Sequence, residues 1–146
     1  DLVKQNIRAL KPISRMVQDY GLVPVLENFK APFDRVSTFE RLFSEIPELY
    51  LHLDFGHSHL GKDDGPTFCK YLGQRLRHVH FSDNRASEDD HMPLGAGTID
   101  WNQEVAALKD IGYDDTITLE IFCGSSDVLY SYINVSKRFL HKLWGK

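Results

Sequence analysis

Four side chains able to bind a divalent cation recur along the chain, each near the end of a strand-like segment: Glu27 in "VLENF", Asp54 in "LHLDF", His80 in "RHVHFS" and Glu120 in "TITLEIF". Three carboxylates and one imidazole form an oxygen-rich set with a single nitrogen. Such a set suits a cation of intermediate hardness: Mn²⁺, Co²⁺, Mg²⁺ or Zn²⁺. His57 follows Asp54 by three residues, and "EDDHMPLGAG" adds Asp89 and His91 in D-x-H spacing beside a glycine turn. One strand-end charge is ordinarily a solvated group. Four in the same position, one per strand, with a second imidazole and carboxylate group alongside, point to a site.

Shared geometry requires elements that aim these residues together. Leu2 to Tyr20 carries apolar side chains at helical spacing (Val3, Ile7, Leu10, Ile13, Val17), with Pro12 expected to kink or break the helix and Gly21 to stop it. "LVPVLENF" reads as a strand. Ser37 and Glu40 have capping-box spacing for a helix to about Ile46, which Pro47 ends. "LYLHLDF" is the next strand, followed by a helix over roughly Pro66 to Leu76 and the strand "RHVHFS". A polar loop from Asp83 to Thr98 leads to Asp100, a good N-cap for a helix through Ile111. "TITLEIF" is the fourth strand, and a helix over Ser126 to Trp144 closes an α(βα)4 pattern in one domain, residues 1–146, without a linker or low-complexity segment. Strict alternation of this kind implies a parallel sheet with helices packed on it.

Side chains alternate along a strand, so His52 pairs with Asp54, Val25 with Glu27, His78 with His80 and Thr118 with Glu120. Leu26, Leu51, Leu53, Phe55, Val79, Ile117 and Leu119 are left to face the helices. In an open sheet, strands about 4.8 Å apart would put the first and fourth ligands roughly 14 Å apart, far beyond a shared ion. As consecutive staves of a (β/α)8 barrel, the same strands converge their inward side chains at the C-terminal rim. The expected fold is therefore α/β, half of a (β/α)8 TIM barrel, since a complete one needs about 250 residues and this chain has 146.

With those residues in view, the chain resembles the xylose-isomerase-like barrels, a family of sugar and sugar-phosphate isomerases and epimerases that also includes type IV apurinic-site endonucleases. "VLENF", "LDFGHSH", "HVHFSDN", "DDHMPLGAGTIDW" and "ITLEIF" are similar to its strands five to eight with the loop after the seventh, which makes this the C-terminal half. The resemblance implies that Glu27, Asp54, His80 and Glu120 are the metal ligands, with Glu27 and Glu120 doubling as acid and base in an isomerisation through an enediolate. It also implies that His57 and Arg85 contact substrate hydroxyls or phosphate. Asp89 and His91 match positions that hold an additional zinc in the endonucleases, and with His57 beside them they form a candidate second metal site. The sequence lacks a separate acidic residue at the position, near Phe33, that some keto-sugar epimerases use.

Two functions follow from this set: a divalent-metal-dependent sugar or sugar-phosphate isomerase/epimerase, and a metal-dependent phosphodiesterase at abasic DNA. A net charge of −4 and the absence of a basic stripe argue against nucleic acid, because duplex binding uses several Lys or Arg contacts to phosphate. Two distant cysteines, Cys69 and Cys123, and no apolar run of membrane length fit a reducing cytoplasm. The helix-first start at Asp1 and the half-barrel length lead to the expectation that strands one to four come from an absent N-terminal half or from a second copy. His52, His78 and Thr118 lie one layer below the ligands, where such barrels hold Val, Ile or Leu, and are read as groups that orient the ligands.

Overall fold

The computed structural model describes residues 1–145. Helix α1 (Leu2–Asp19) is followed by β1 (Val25–Glu27), α2 (Val36–Glu45), β2 (Tyr50–Asp54), α3 (Phe55–Leu60) and α4 (Gly65–Leu72). A 3₁₀ turn (Gly73–Arg75) then leads to β3 (Leu76–Phe81), α5 (Trp101–Asp110), β4 (Ile117–Leu119) and α6 (Ser126–Trp144). The strands form one parallel sheet in sequence order, β1-β2-β3-β4. Each crossover is a helix or a helix with a loop, as parallel neighbours require.

The alternation expected from the sequence sorts the two faces. Leu51, Leu53, Val79 and Phe81 are fully buried against the helices, where they meet Phe39 and Leu42 of α2, Phe68 of α4 and Trp101 and Leu108 of α5. The opposite face carries His52, Asp54, His78, His80 and Thr118. Register aligns Glu27 with His52, Asp54 with His80 and His80 with Thr118. A one-residue slip would turn all of them into the apolar layer, so the buried leucines fix the site.

Several local expectations are corrected. α1 runs through Pro12 unbroken. Pro12 and Arg8, whose carbonyl loses its helical donor, are both exposed, so the helix tolerates the proline on its solvent side. The Ser37/Glu40 capping box does not form. The N-cap position is Arg35, two residues earlier, and the Val36 amide donates to Asp63 Oδ2 at 2.8 Å, a cap supplied from the turn after α3. Asp54 ends β2 and at once N-caps α3, accepting from the His57 amide at 2.7 Å, so the strand stops before Phe55. The helix expected over Pro66 to Leu76 starts one residue earlier, capped by Asp64, and ends at Leu72, because a 3₁₀ turn over Gly73–Arg75 follows and Leu76 already belongs to β3. Asp100 caps α5 as expected, accepting from the Asn102 and Gln103 amides.

Glu104 on α5 is a buried carboxyl facing α4, and its Oε2 has no hydrogen-bond partner among the described residues. Burial, with Asp64 and Asp100 nearby, pushes it up from 4.5 to about 8. A raised carboxyl favours the protonated folded state, so its stabilisation is complete below pH 4.5 and is lost as pH rises through 8. The protein is expected to lose on the order of 3 kcal/mol between pH 5 and 8.5 from this group, and Glu104→Gln to remove that slope. Thermal unfolding of both at one protein concentration checks this; identical pH profiles would refute it.

Candidate metal centre

The C-terminal ends of the four strands bring the sequence-derived ligand set together. Glu27 ends β1, Asp54 ends β2, His80 lies near the end of β3 and Glu120 follows β4, where its amide donates to the Phe81 carbonyl at 3.0 Å. One ligand atom from each lies within 4.8 Å of the others. His80 Nδ1 is the nitrogen turned to the carboxylates: 3.0 Å from Glu120 Oε2, 3.6 Å from Glu27 Oε1 and 3.7 Å from Asp54 Oδ2.

Electrostatics suit a cation. Asp54 is fully buried and its Oδ2 has no hydrogen-bond partner among the described residues. Burial raises its carboxyl to about 6, with Glu27 and Glu120 adding to the rise against the opposing pull of His57. Glu27 is raised by burial as well, partly offset by His57 and His80. Packing three carboxylates around one buried, unpartnered oxygen is unfavourable without positive charge, and the donor set therefore fits a divalent ion on the chain's own geometry.

A second cluster adjoins the first. His57 Nδ1 lies 2.9 Å from the Asn28 carbonyl and His91 Nδ1 3.1 Å from the Glu120 carbonyl. A carbonyl only accepts, so both Nδ1 atoms carry the proton. Both Nε2 atoms then face Asp89 Oδ2, at 3.1 Å and 3.3 Å. A carboxylate between two imidazole nitrogens calls for a protonated ring or a cation. Burial works against charge on His57, but Asp54, Asp89 and Glu27 together raise it above its ordinary value. Phe29 packs edge-on to His57 and Phe122 stacks on His91, with ring centroids 4.8 Å and 4.0 Å apart.

The supporting residues were not evident from the sequence. The Asn28 side chain acts as one more rung between β1 and β2, accepting from the Asp54 amide at 2.7 Å and donating to its carbonyl at 2.9 Å. Asp83 is buried and its carboxylate accepts from the amides of Asn84, Gly95 and Ile99 and from Trp101 Nε1, which ties down the loop that bears Asp89 and His91. His91 is held at φ 48°, a left-handed conformation unfavourable for a residue with a side chain. The Phe122 amide donating to the His91 carbonyl at 3.0 Å helps hold it there. Arg85 is not brought into either cluster: it is exposed, and among the described residues its side chain forms no ion pair. Beside the clusters is a cleft of about 520 Å³ lined by Phe29, Lys30, Asp34, His57, Glu88 and Asp89, among others. A larger one, about 690 Å³, opens near Leu76 and Asp114, at the opposite rim and away from the carboxylates.

Beneath the carboxylates sits a layer of imidazoles. His52 and His78 are register partners. Burial and neighbouring imidazoles push His52 down to about 3 and lower His78 too, so both rings are neutral bases near pH 7.

Residues 2–138 match the family model described as the xylose isomerase-like TIM barrel, and the chain belongs to that family. Its fold is the C-terminal half of a (β/α)8 barrel. The inosose isomerase of Bacillus subtilis is 25% identical over 133 residues, covering 84% of this chain and 48% of that protein. The L-ribulose 3-epimerase of Methylomonas sp. is 30% identical over 98 residues, covering 67% of this chain and 32% of that one. Among solved structures, the IolI protein with a bound zinc atom superposes with a TM-score of 0.78 at 21% identity, covering 97% of this chain and 55% of that one. The chain thus spans about half the length of the curated relatives it matches.

Proposed function

We propose that this chain forms the metal-binding half of a divalent-metal-dependent isomerase or epimerase acting on a sugar, sugar phosphate or related polyol. The observation that carries the reading is the convergence of Glu27, Asp54, His80 and Glu120 around the buried, unpartnered oxygen of Asp54. Those four would hold a Mn²⁺, Co²⁺, Mg²⁺ or Zn²⁺ ion, which when bound polarises a carbonyl and acidifies the C–H beside it. Glu27 and Glu120 come from the two outer strands of the sheet and approach the centre from opposite sides. One carboxylate takes the proton next to the carbonyl while the other, already protonated, donates its own proton to the opposite face, which inverts that carbon and leaves the two carboxyls with exchanged protonation states. Burial raises the Glu27 carboxyl above its ordinary value, which favours its proton-carrying form.

His57 lies between the centre and the cleft. Its Nε2, 3.1 Å from Asp89 Oδ2, would hold a substrate hydroxyl, and the exposed Arg85 would hold a phosphate or hydroxyl. Relatives whose names specify inosose and L-ribulose as substrates support a cyclic or open-chain keto-polyol. The cluster of His57, Asp89 and His91 supports a second reading, in which it holds an additional cation and the assembled site cleaves a phosphodiester at abasic DNA.

One pair of assays separates the two. The assembled protein, loaded with Mn²⁺ or Co²⁺, is incubated in D₂O with ketopentoses, ketohexoses and inososes, and separately with an abasic duplex. Deuterium next to the sugar carbonyl without duplex nicking is the expected result. Nicking without deuterium incorporation would transfer the assignment to the endonuclease.

A further inference from the structure

We infer that His52 and His78, with His80 as the shared ligand, form a second metal site: an all-imidazole site for a borderline cation such as Zn²⁺, Cu²⁺ or Co²⁺, one layer below the carboxylates.

One ring nitrogen from each of the three histidines lies within 4.8 Å of the others. A cation with bonds of about 2.1 Å holds tetrahedral ligand nitrogens roughly 3.4 Å apart, so small ring rotations close the set. The rings do not satisfy one another: no hydrogen bond joins them among the described residues, and they meet at steep angles with centroids 4.0, 4.8 and 5.3 Å apart. His52 is only 9% exposed and its Nε2 is buried without a hydrogen-bond partner among the described residues. An unpaired buried nitrogen costs roughly 1–3 kcal/mol, in a layer that such barrels ordinarily fill with Val, Ile or Leu. A ligand that uses those lone pairs removes the cost.

Two further features fit a metal. Thr118 Oγ1 lies 2.9 Å from His78 Nε2, the kind of outer contact that fixes the tautomer and orientation of a ligating imidazole. His80 presents Nδ1 to the carboxylates; a neutral ring has one lone-pair nitrogen, so His80 serves both sites at once as a bridging imidazolate, its N–H proton released to solvent when the second ion binds. The donor sets then sort their ions: the oxygen-rich centre favours harder cations, and three imidazoles favour Zn²⁺, Cu²⁺ or Co²⁺. The inference does not rest on the sugar reading.

The test starts from the assembled protein carrying Asp54→Asn and Asp89→Asn, which impairs the carboxylate centre and the loop cluster. Titration with Cu²⁺ is expected to show one tightly held equivalent whose paramagnetic resonance spectrum carries splitting from more than one imidazole nitrogen. Adding His52→Gln and His78→Gln should remove that equivalent. Copper binding absent from the background, or unchanged in occupancy and nitrogen splitting by the two glutamines, overturns the proposal. Unsubstituted protein labelled with ¹⁵N-histidine provides an arm free of folding defects. Titration with Zn²⁺ to saturation is expected to shift the ring nitrogens of His52 and His78, and rings unshifted at saturation refute the site.

Discussion

Asp54→Ala is expected to release the divalent ion and to lower deuterium exchange into the keto-sugar by at least about 10³-fold, some 4 kcal/mol of lost barrier reduction. Asp54 is the only ligand of the four that is fully buried, and its carboxylate does two things. Oδ1 caps α3 through the His57 amide, while Oδ2 is turned toward His80 at 3.7 Å and has no hydrogen-bond partner among the described residues. Losing the cap costs about 1 kcal/mol and leaves the fold standing. Losing the charge removes the centre's best-desolvated anion. Asp54→Asn separates the two effects, because an asparagine still caps a helix and fills the same volume but offers no anionic oxygen. Both variants are expected to lose the ion of the carboxylate centre and to be inactive, with only the alanine variant destabilised. Metal analysis by mass spectrometry decides, and full stoichiometry in Asp54→Asn would exclude the proposed ligand set.

The same residue shows why part of the site is legible in sequence and part is not. Strand parity is a local property: once "LYLHLDF" is a strand, His52 and Asp54 share a face whatever the rest of the chain does. The four rim residues could therefore be found from spacing alone, and the barrel followed from asking how they could meet. α3 escaped because Phe55–Leu60 holds a glycine and two histidines and no apolar period; a six-residue helix leaves only its cap as a signal, and that cap was assigned a metal role. Ser37 and Glu40 had the right spacing for a capping box, but Asp63 arrives from 27 residues away and satisfies the Val36 amide instead.

Nonlocal closure also hid the residues that hold the second cluster in place. Asn28 and Asp83 are short polar residues at strand ends, which in sequence look like ordinary turn formers. Their importance lies in partners from other segments: Asp54 for Asn28, and Gly95, Ile99 and Trp101 for Asp83. The strained backbone of His91 has no sequence signature, since nothing about the residue type announces φ 48°. D-x-H spacing nonetheless picked out Asp89 and His91, because two ligating groups on a short glycine-bounded loop have few ways to avoid one another.

The chain by itself is expected to self-associate. Its sheet has two edge strands, β1 and β4, each only three residues long and each with one side unpaired. Edges in that state pair with other chains. The face that would look into a closed barrel carries ionisable rim groups, and around it lie exposed apolar side chains: Val25 is 40% exposed, Phe29 48% and Phe122 62%. α6 adds Val128, Tyr132 and Val135, spaced to share a helix face and all exposed. Alignment with about half of each curated relative makes four further strands the natural cover, supplied by another part of a longer polypeptide or, failing that, by a second copy closing a pseudo-complete barrel about a two-fold axis. Light scattering of the 146-residue chain is expected to report a dimer or larger species. Addition of the N-terminal half-barrel of a family member is expected to convert it to a heterodimer. A monomer with a single cooperative melt would show that four strands suffice and that the exposed edges and faces need no partner.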